Sequence, residues 1–305
     1  MLSDIILSEA EQLGFAACGI SCATLLEKES AQMERWLEAE HEGEMGYLNR
    51  NKEKRYDPRL LVEGTKSIVT VLYNYYPQRL LPQEDNFKIA KYAYGEDYHE
   101  VLKQRMRQLL ERIEAHTGPL EGTRVFADSA PVLDRAWAVK CGLGFIGKNT
   151  TLIHPKKGSF LFIGHLFLPI ELDPTGAAMD NHCGRCTRCL DACPTGALQA
   201  PFTLDARKCI SYLTIEYKGE LKGDSSVFND WMYGCDICQD VCPYNKFVIG
   251  NQEPKFQPSE GLLAMRKKDW KALDKATFDA LFHKSAVKRA GYEGLKRNIT
   301  FLEPE

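Results

Sequence analysis

No apolar run in the 305-residue chain is long enough to cross a bilayer, and the opening residues, MLSDIILSEAEQLGF, lack the basic start and cleavage site of an export signal. The chain therefore reads as cytoplasmic and not membrane-bound. Positive charge is not in excess either: 39 Lys and Arg against 42 Asp and Glu leave a formal net charge of −3. A nucleic-acid partner would have to be held by a local basic patch, because the whole molecule exerts no attraction on phosphate. Internal repeats and low-complexity segments are absent, as are the haem pattern C-x-x-C-H and the radical-enzyme pattern C-x3-C-x2-C. GLGFIGKN, residues 142–149, matches G-x-G-x-x-G, but it follows a helical pattern instead of opening one. With no acidic ribose ligand at the expected distance, a dinucleotide site is excluded.

Cysteine, by contrast, is plentiful, and eight of the 11 cysteines fall between residues 183 and 242. Cys183, Cys186, Cys189 and Cys193, followed by Pro194, read C-x2-C-x2-C-x3-C-P. This is the spacing by which a bacterial ferredoxin gives three thiolates to one [4Fe-4S] cube and the fourth to a second cube. Cys235, Cys238 and Cys242, followed by Pro243, with Cys209 upstream, supply four more. A short C-x2-C-x2-C loop hugs one cube, whereas a cysteine after x3, fixed by the next proline, points away from it. The assignment is thus crossed: Cys183, Cys186, Cys189 and Cys242 for one cluster, Cys193, Cys209, Cys235 and Cys238 for the other. Four-thiolate zinc sites also use C-x2-C pairs but rarely need this triple spacing, and a disulfide framework belongs to short secreted chains. Cys18, Cys22 and Cys141 lie outside the spacing and read as small core hydrophobes.

Ahead of the cysteines, Ile5, Ile6, Ala10 and Leu13 sit at helical spacing before Gly14, and FAACGIS reads as a buried strand. A second amphipathic helix, residues 24–40, has Leu25, Leu26, Met33, Trp36 and Leu37 on one face. SIVTVLYNYY, rich in β-branched and aromatic residues, suits an interior strand. A long helix is predicted to end near residue 115, then a strand, a helix and a hairpin pattern up to about residue 172, and a basic helical region at the C-terminus. The fold class is α+β. About 180 residues precede the ferredoxin-like part, far more than an electron carrier requires, so a second redox centre is expected to accept the electrons.

KRYDPR, YAYGEDYH, DSAPVLDRAWA, GLGFIGKNT, KCISYLTIEYKGE and YGCDICQDVCPYN together resemble the epoxyqueuosine reductase family over about residues 3–300. The resemblance implies three parts. Residues 1–172 would form a catalytic α/β cobalamin-binding domain related to nitroreductases and reductive dehalogenases, residues 173–250 a ferredoxin-like domain with two [4Fe-4S] clusters, and residues 251–305 a short helical end. The implied reaction removes the epoxide oxygen of epoxyqueuosine as water at the wobble position of tRNA, with an external low-potential donor, on a monomer. Motif by motif, the family's proton donor falls on Asp134, which also touches cobalamin. The remaining cobalamin contacts fall on Arg55, Ser159, Ser211 and the Cys235-Asp236 backbone, and a tRNA contact on Lys218. Lys284, Lys288, Arg289, Lys296 and Arg297 offer a local basic patch for tRNA. The sequence ends soon after GYEGLKRN, where longer members of the family continue into a helical-repeat domain. Two other readings stay open: a cobalamin-dependent reductase of another substrate, such as an organohalide, and a non-enzymatic ferredoxin-like electron carrier.

Overall fold

Residues 1–303 are described by a computed structural model, in which distant segments assemble one central sheet. Helix α1 (Leu2–Gln12) buries Ile6 and Ala10, four apart on one face. Gly14, at φ +81°, then turns the chain into β1 (Ala17–Cys22). Helix α2 (Glu27–Glu38) buries Leu37, while Leu25, expected on its apolar face, precedes the helix and is exposed. β2 (Ser67–Asn74) is buried at every position but its last, as an interior strand must be. Helix α3 (Tyr98–Thr117) starts at Asp97, whose carboxylate accepts from the His99 N–H. After it come β3 (Arg124–Phe126), helix α4 (Asp134–Lys140) and β4 (Leu161–Leu168).

The strand order is β1-β2-β4-β3, and every neighbouring pair is antiparallel. The expectation of an α/β domain is corrected here: helices and strands mix, but this sheet has no parallel pair. Cys22 lies directly opposite Ser67, so the connection of residues 23–66 returns to the end of the sheet it left, whereas a parallel pair needs a crossover to the far end. On one face Val69, Val71, Leu166 and Leu168 join α1 and α3 in the main core. On the other, Ile68, Leu72 and Phe167 meet Trp137 and Ala138 of α4.

The cysteine-rich stretch is mostly turns, with three short helices, α5 (Arg188–Asp191), α6 (Ile210–Ile215) and α7 (Ile237–Asp240). The C-terminal region is a series of short helices that includes α8 (Lys275–Phe282) and α9 (Gly291–Leu302). Phe278, Phe282, Leu295 and Ile299 from these share one core with Phe87, Ile89, Tyr94 and Tyr233. Trp270 is buried there, its indole N–H donating to Asn86 Oδ1 over 2.7 Å. No helix among the described residues is long and apolar enough to cross a membrane.

Candidate active site

The eight spaced cysteines are free and partly buried, and their mutual influence sorts them. Burial raises the pKa of Cys189, and Cys183 and Cys242 push it further. Cys242 is raised by burial and then by Cys183 and Cys186. In the other group, burial raises Cys209, assisted by Cys193, and raises Cys238, assisted by Cys235 and Cys209. These influences run mainly within the two sets of four that the spacing predicts. Cys189 also acts on Cys238, so the quartets adjoin. Among the described residues no three His, Cys, Asp or Glu side chains converge on a single-ion site. A four-iron cube takes one thiolate per iron and spreads its ligands more widely than one zinc ion.

Two side chains of the glycine-rich turn fasten the cysteine loops. Lys148 Nζ donates to the carbonyls of Gly184 and Cys186 over 2.8 and 3.0 Å, and Asn149 Nδ2 donates to that of Cys238 over 3.3 Å. GLGFIGKN therefore builds a hairpin turn, Phe145–Ile146 pairing with Leu152–Ile153, that abuts both quartets.

Asp134 opens α4, with its side chain 20% exposed. Oδ1 is the buried oxygen and lies 3.2 Å from Nε2 of His165, yet without the alignment of a hydrogen bond. Arg55 is buried, its Nε has no protein partner, and Asp134 partly offsets the lowering of its pKa by burial. Asp128 and Arg135 are open to solvent, but the protein mass around them still disfavours their charged forms, with Asp134 reinforcing this at Asp128 and opposing it at Arg135. Both border the open side of Asp134, the recess of this site. The Tyr98 hydroxyl donates to Asp128. Tyr47, influenced by Glu216, Arg289, Asp128 and Arg55, links this recess to α6 and the C-terminal helices.

The other predicted residues are placed as follows. Ser159 is buried, and its Oγ accepts from Gln239 and Asn245 over 3.0 and 2.9 Å, which joins β4 to the second cysteine loop. Ser211 lies in the first turn of α6, beside Cys209. The Asp236 carboxylate accepts from the Lys91 backbone N–H over 2.8 Å and faces Lys91 Nζ at 3.4 Å. Lys218 Nζ donates to the carbonyls of Ile215 and Arg289, and Arg289 pairs with Glu216 through two 2.9 Å bonds. Lys218, Lys288 and Arg289 thus share one surface, whereas Arg297 donates to the carbonyls of Leu213, Tyr217 and Gly219 and holds the fold. Cys141 is buried, as expected, and Cys18 packs partly buried against the main core, but Cys22 is exposed and is no core residue. It is the last position of β1, at the exposed end of an edge strand.

Three residues escaped the sequence reading. Thr70 and His165 are the polar positions inside two apolar strands, VTV and GHL, which is a legible anomaly. Lys91 carried no signal beyond being a lysine among aromatic residues, yet it is buried between Asp236 and Asp240.

Residues 182–245 match the family model of a 4Fe-4S double cluster binding domain, and residues 55–129 match the one described as epoxyqueuosine reductase QueG, DUF1730. The chain is 49% identical over 302 residues to an epoxyqueuosine reductase of Cellulophaga algicola, covering 99% of this chain and 98% of that protein. An epoxyqueuosine reductase crystallised with a tRNA-Tyr epoxyqueuosine-modified stem loop matches at TM-score 0.86 and 29% identity, over 99% of this chain and 80% of that one. The Bacillus subtilis epoxyqueuosine reductase, with its catalytic aspartate loop swung out of the active site, matches at TM-score 0.86 and 29% identity, over the same 99% and 80%.

Proposed function

The chain belongs to the epoxyqueuosine reductase family, and we propose on that premise that it reduces epoxyqueuosine in tRNA to queuosine, with Asp134 as the acid. The observation that carries the reading is the end-to-end match to a curated relative. The cysteine quartets and the Asp134 recess are the parts such a reaction needs. The overall change adds two electrons and two protons to the epoxide and releases one water.

Two [4Fe-4S] clusters on the crossed quartets and a cobalamin in the recess are the proposed cofactors. When bound, they would supply the low-potential electrons, drawn from an external donor, that the reduction consumes. Arg55, buried near Asp134 with its Nε unpartnered, is the proposed cationic contact for an amide or phosphate oxygen of the cobalamin. Ser211, the Ser159 hydroxyl proton and the backbone of Cys235 and Asp236 are the other proposed contacts. The Asp236 side chain is already engaged with Lys91, which leaves its main chain for this role. Asp134 then gives a proton to the oxygen as its carbon bond breaks, and solvent supplies the second.

Lys218, Lys288 and Arg289 are the proposed tRNA contacts, supported by their shared surface and by the approach of Arg289 to Tyr47, 5.8 Å from the ring centre. A recess of about 610 Å³, lined by Arg188, Asp191, Asp240, Cys242, Pro243 and Lys246, is the proposed approach for the electron donor, because a cluster ligand forms part of its wall. In parts, the chain reads as a cobalamin-binding segment (1–172), a cluster segment (173–250) and closing helices (251–305), acting as a cytoplasmic monomer. The test is anaerobic reconstitution with iron, sulfide and cobalamin, then reaction of epoxyqueuosine-containing tRNA with a chemical low-potential reductant. Nucleoside mass spectrometry is expected to show queuosine; unchanged epoxyqueuosine with both cofactors bound would refute the reading.

A further inference from the structure

A polar row crosses the centre of the sheet with apolar residues on both sides of it. Thr70 and His165 lie directly opposite each other on β2 and β4, both fully buried, with Thr70 Oγ1 3.0 Å from His165 Nδ1. Cys141, just after α4, donates its thiol to Thr70 Oγ1 over 3.2 Å. It comes this close because Gly19, the partner of Thr70 on β1, has no Cβ to collide with the Cys141 carbonyl. At the other end of the row, His165 Nε2 faces Asp134 Oδ1 at 3.2 Å, out of line for a hydrogen bond until the carboxyl turns slightly, and neither atom has any other protein partner. Helix α4 thus straddles the row, its first residue over His165 and the residue after its end over Thr70.

The row has a direction. With the Cys141 thiol proton on Thr70 Oγ1, the nearer of its two acceptors (the Ile68 carbonyl is 3.8 Å away), the Thr70 hydroxyl has its own proton free for His165 Nδ1. That order assigns the ring proton to Nε2, the nitrogen turned toward Asp134. Arg55, Arg135 and Asp128 surround the carboxyl electrostatically, but none of them is hydrogen-bonded to Oδ1.

We propose that His165 is a positioning residue for the acid: its Nε2–H claims Oδ1 of Asp134, so that the protonated carboxyl carries its proton on Oδ2, the oxygen left to the recess. This rests on the reading of Asp134 as proton donor. A carboxylic acid protonated on its buried oxygen would have its proton facing a protein nitrogen instead of the substrate. With Oδ1 occupied, the O–H bond of Oδ2 breaks toward the departing epoxide oxygen. The carboxylate that remains is held by the same Nε2–H until solvent in the recess returns a proton.

The experiment compares holoenzyme variants, with clusters and cobalamin verified by absorbance, for kcat and for KM toward epoxyqueuosine-containing tRNA. His165→Phe and the isosteric Thr70→Val are expected to lower kcat by about 10-fold to 100-fold with KM unchanged, the scale of a misplaced catalytic group. His165→Gln, which keeps an N–H near the Nε2 position, is expected to recover most of the rate. In an Asp134→Asn background, His165→Phe should cost nothing more, because the group it positions is gone. If His165→Phe does not fold, Thr70→Val decides. Wild-type kcat in Thr70→Val and His165→Phe, alongside an inactive Asp134→Asn, would overturn the proposal and leave the acid in place. An equal loss from His165→Phe with and without Asp134 would also overturn it, by assigning His165 to packing alone. An active Asp134→Asn would instead remove the premise, and the proposal with it.

Discussion

At the scale of single residues, the site is organised by groups that burial leaves incompletely satisfied. Most buried polar atoms in folded proteins find partners, and Arg55 Nε, Asp134 Oδ1 and His165 Nε2 are three of the five buried side-chain atoms among the described residues that do not, the others being on Ser21 and Glu42. Asp134→Asn preserves shape and removes the transferable proton. It is expected to keep both clusters and cobalamin while losing roughly 10²-fold or more in turnover, the usual contribution of a general acid, as read by queuosine formation per cofactor-loaded enzyme. Cys141 makes the opposite case. Burial raises its thiol pKa, so it is no ready nucleophile.

Among the local elements, the two cysteine loops are held by side chains from elsewhere. Lys148 and Asn149 grip them from the hairpin turn, and Lys91 grips α7 through Asp236 at its start and Asp240 at its end, the latter at 2.6 Å. The ion pair is uneven. Burial lowers the pKa of Lys91 and its two carboxylate neighbours more than restore it, whereas burial raises that of Asp236 beyond what Lys91 recovers. The direction at Lys91 fits the geometry, since it has two partners and Asp236 has one cation. Lys91→Met would leave the Asp236 carboxylate buried without its cation. It is expected to destabilise the fold by about 3–5 kcal/mol, seen as a lower unfolding midpoint and earlier iron loss on heating. The crossing makes a separate prediction: Cys242→Ala should damage the cluster of the first run and Cys193→Ala that of the second, against about eight irons per intact chain. A Cys242→Ala spectrum that matches Cys183→Ala, with Cys193→Ala matching Cys235→Ala, would confirm the exchange, and the opposite matching would refute it.

Across the whole molecule, the chain returns repeatedly to the same region. Residues 47 and 55 from the first connection, 134 from α4, 216 after α6 and 289 near the C-terminus influence one another within one site. Because the net charge is −3, phosphate must be bound locally, on the surface shared by Lys218, Lys288 and Arg289. Changing Lys288 and Arg289 to alanine is expected to weaken tRNA binding and to flatten its dependence on salt by about one counterion per lost phosphate contact. Fluorescence anisotropy across a salt series measures both, and an unchanged slope would remove this surface from the tRNA site. Glu216 already holds Arg289 of that patch, so phosphate has to compete with it there.

The sequence by itself determined the parts whose signals are local. Cysteine spacing implies two clusters because a short loop reaches only so far round a cube. The β-branched and aromatic run SIVTVLYN and the helical spacing before Gly14 likewise gave a strand and a helix, since residue preference and helical period both act within a few residues. Asp134 was legible through a family resemblance, not through its neighbours in sequence. What only the tertiary structure decided are relations between segments far apart in the chain. The antiparallel order of the sheet arises from where a long connection returns. The exposure of Cys22 follows from its place at the strand end. The row from Cys141 through Thr70 and His165 to Asp134 exists because Gly19 lets the end of α4 settle on the sheet. Its closest contacts join residues 31 to 95 positions apart, and no pattern of a few residues can encode a meeting that is made by packing.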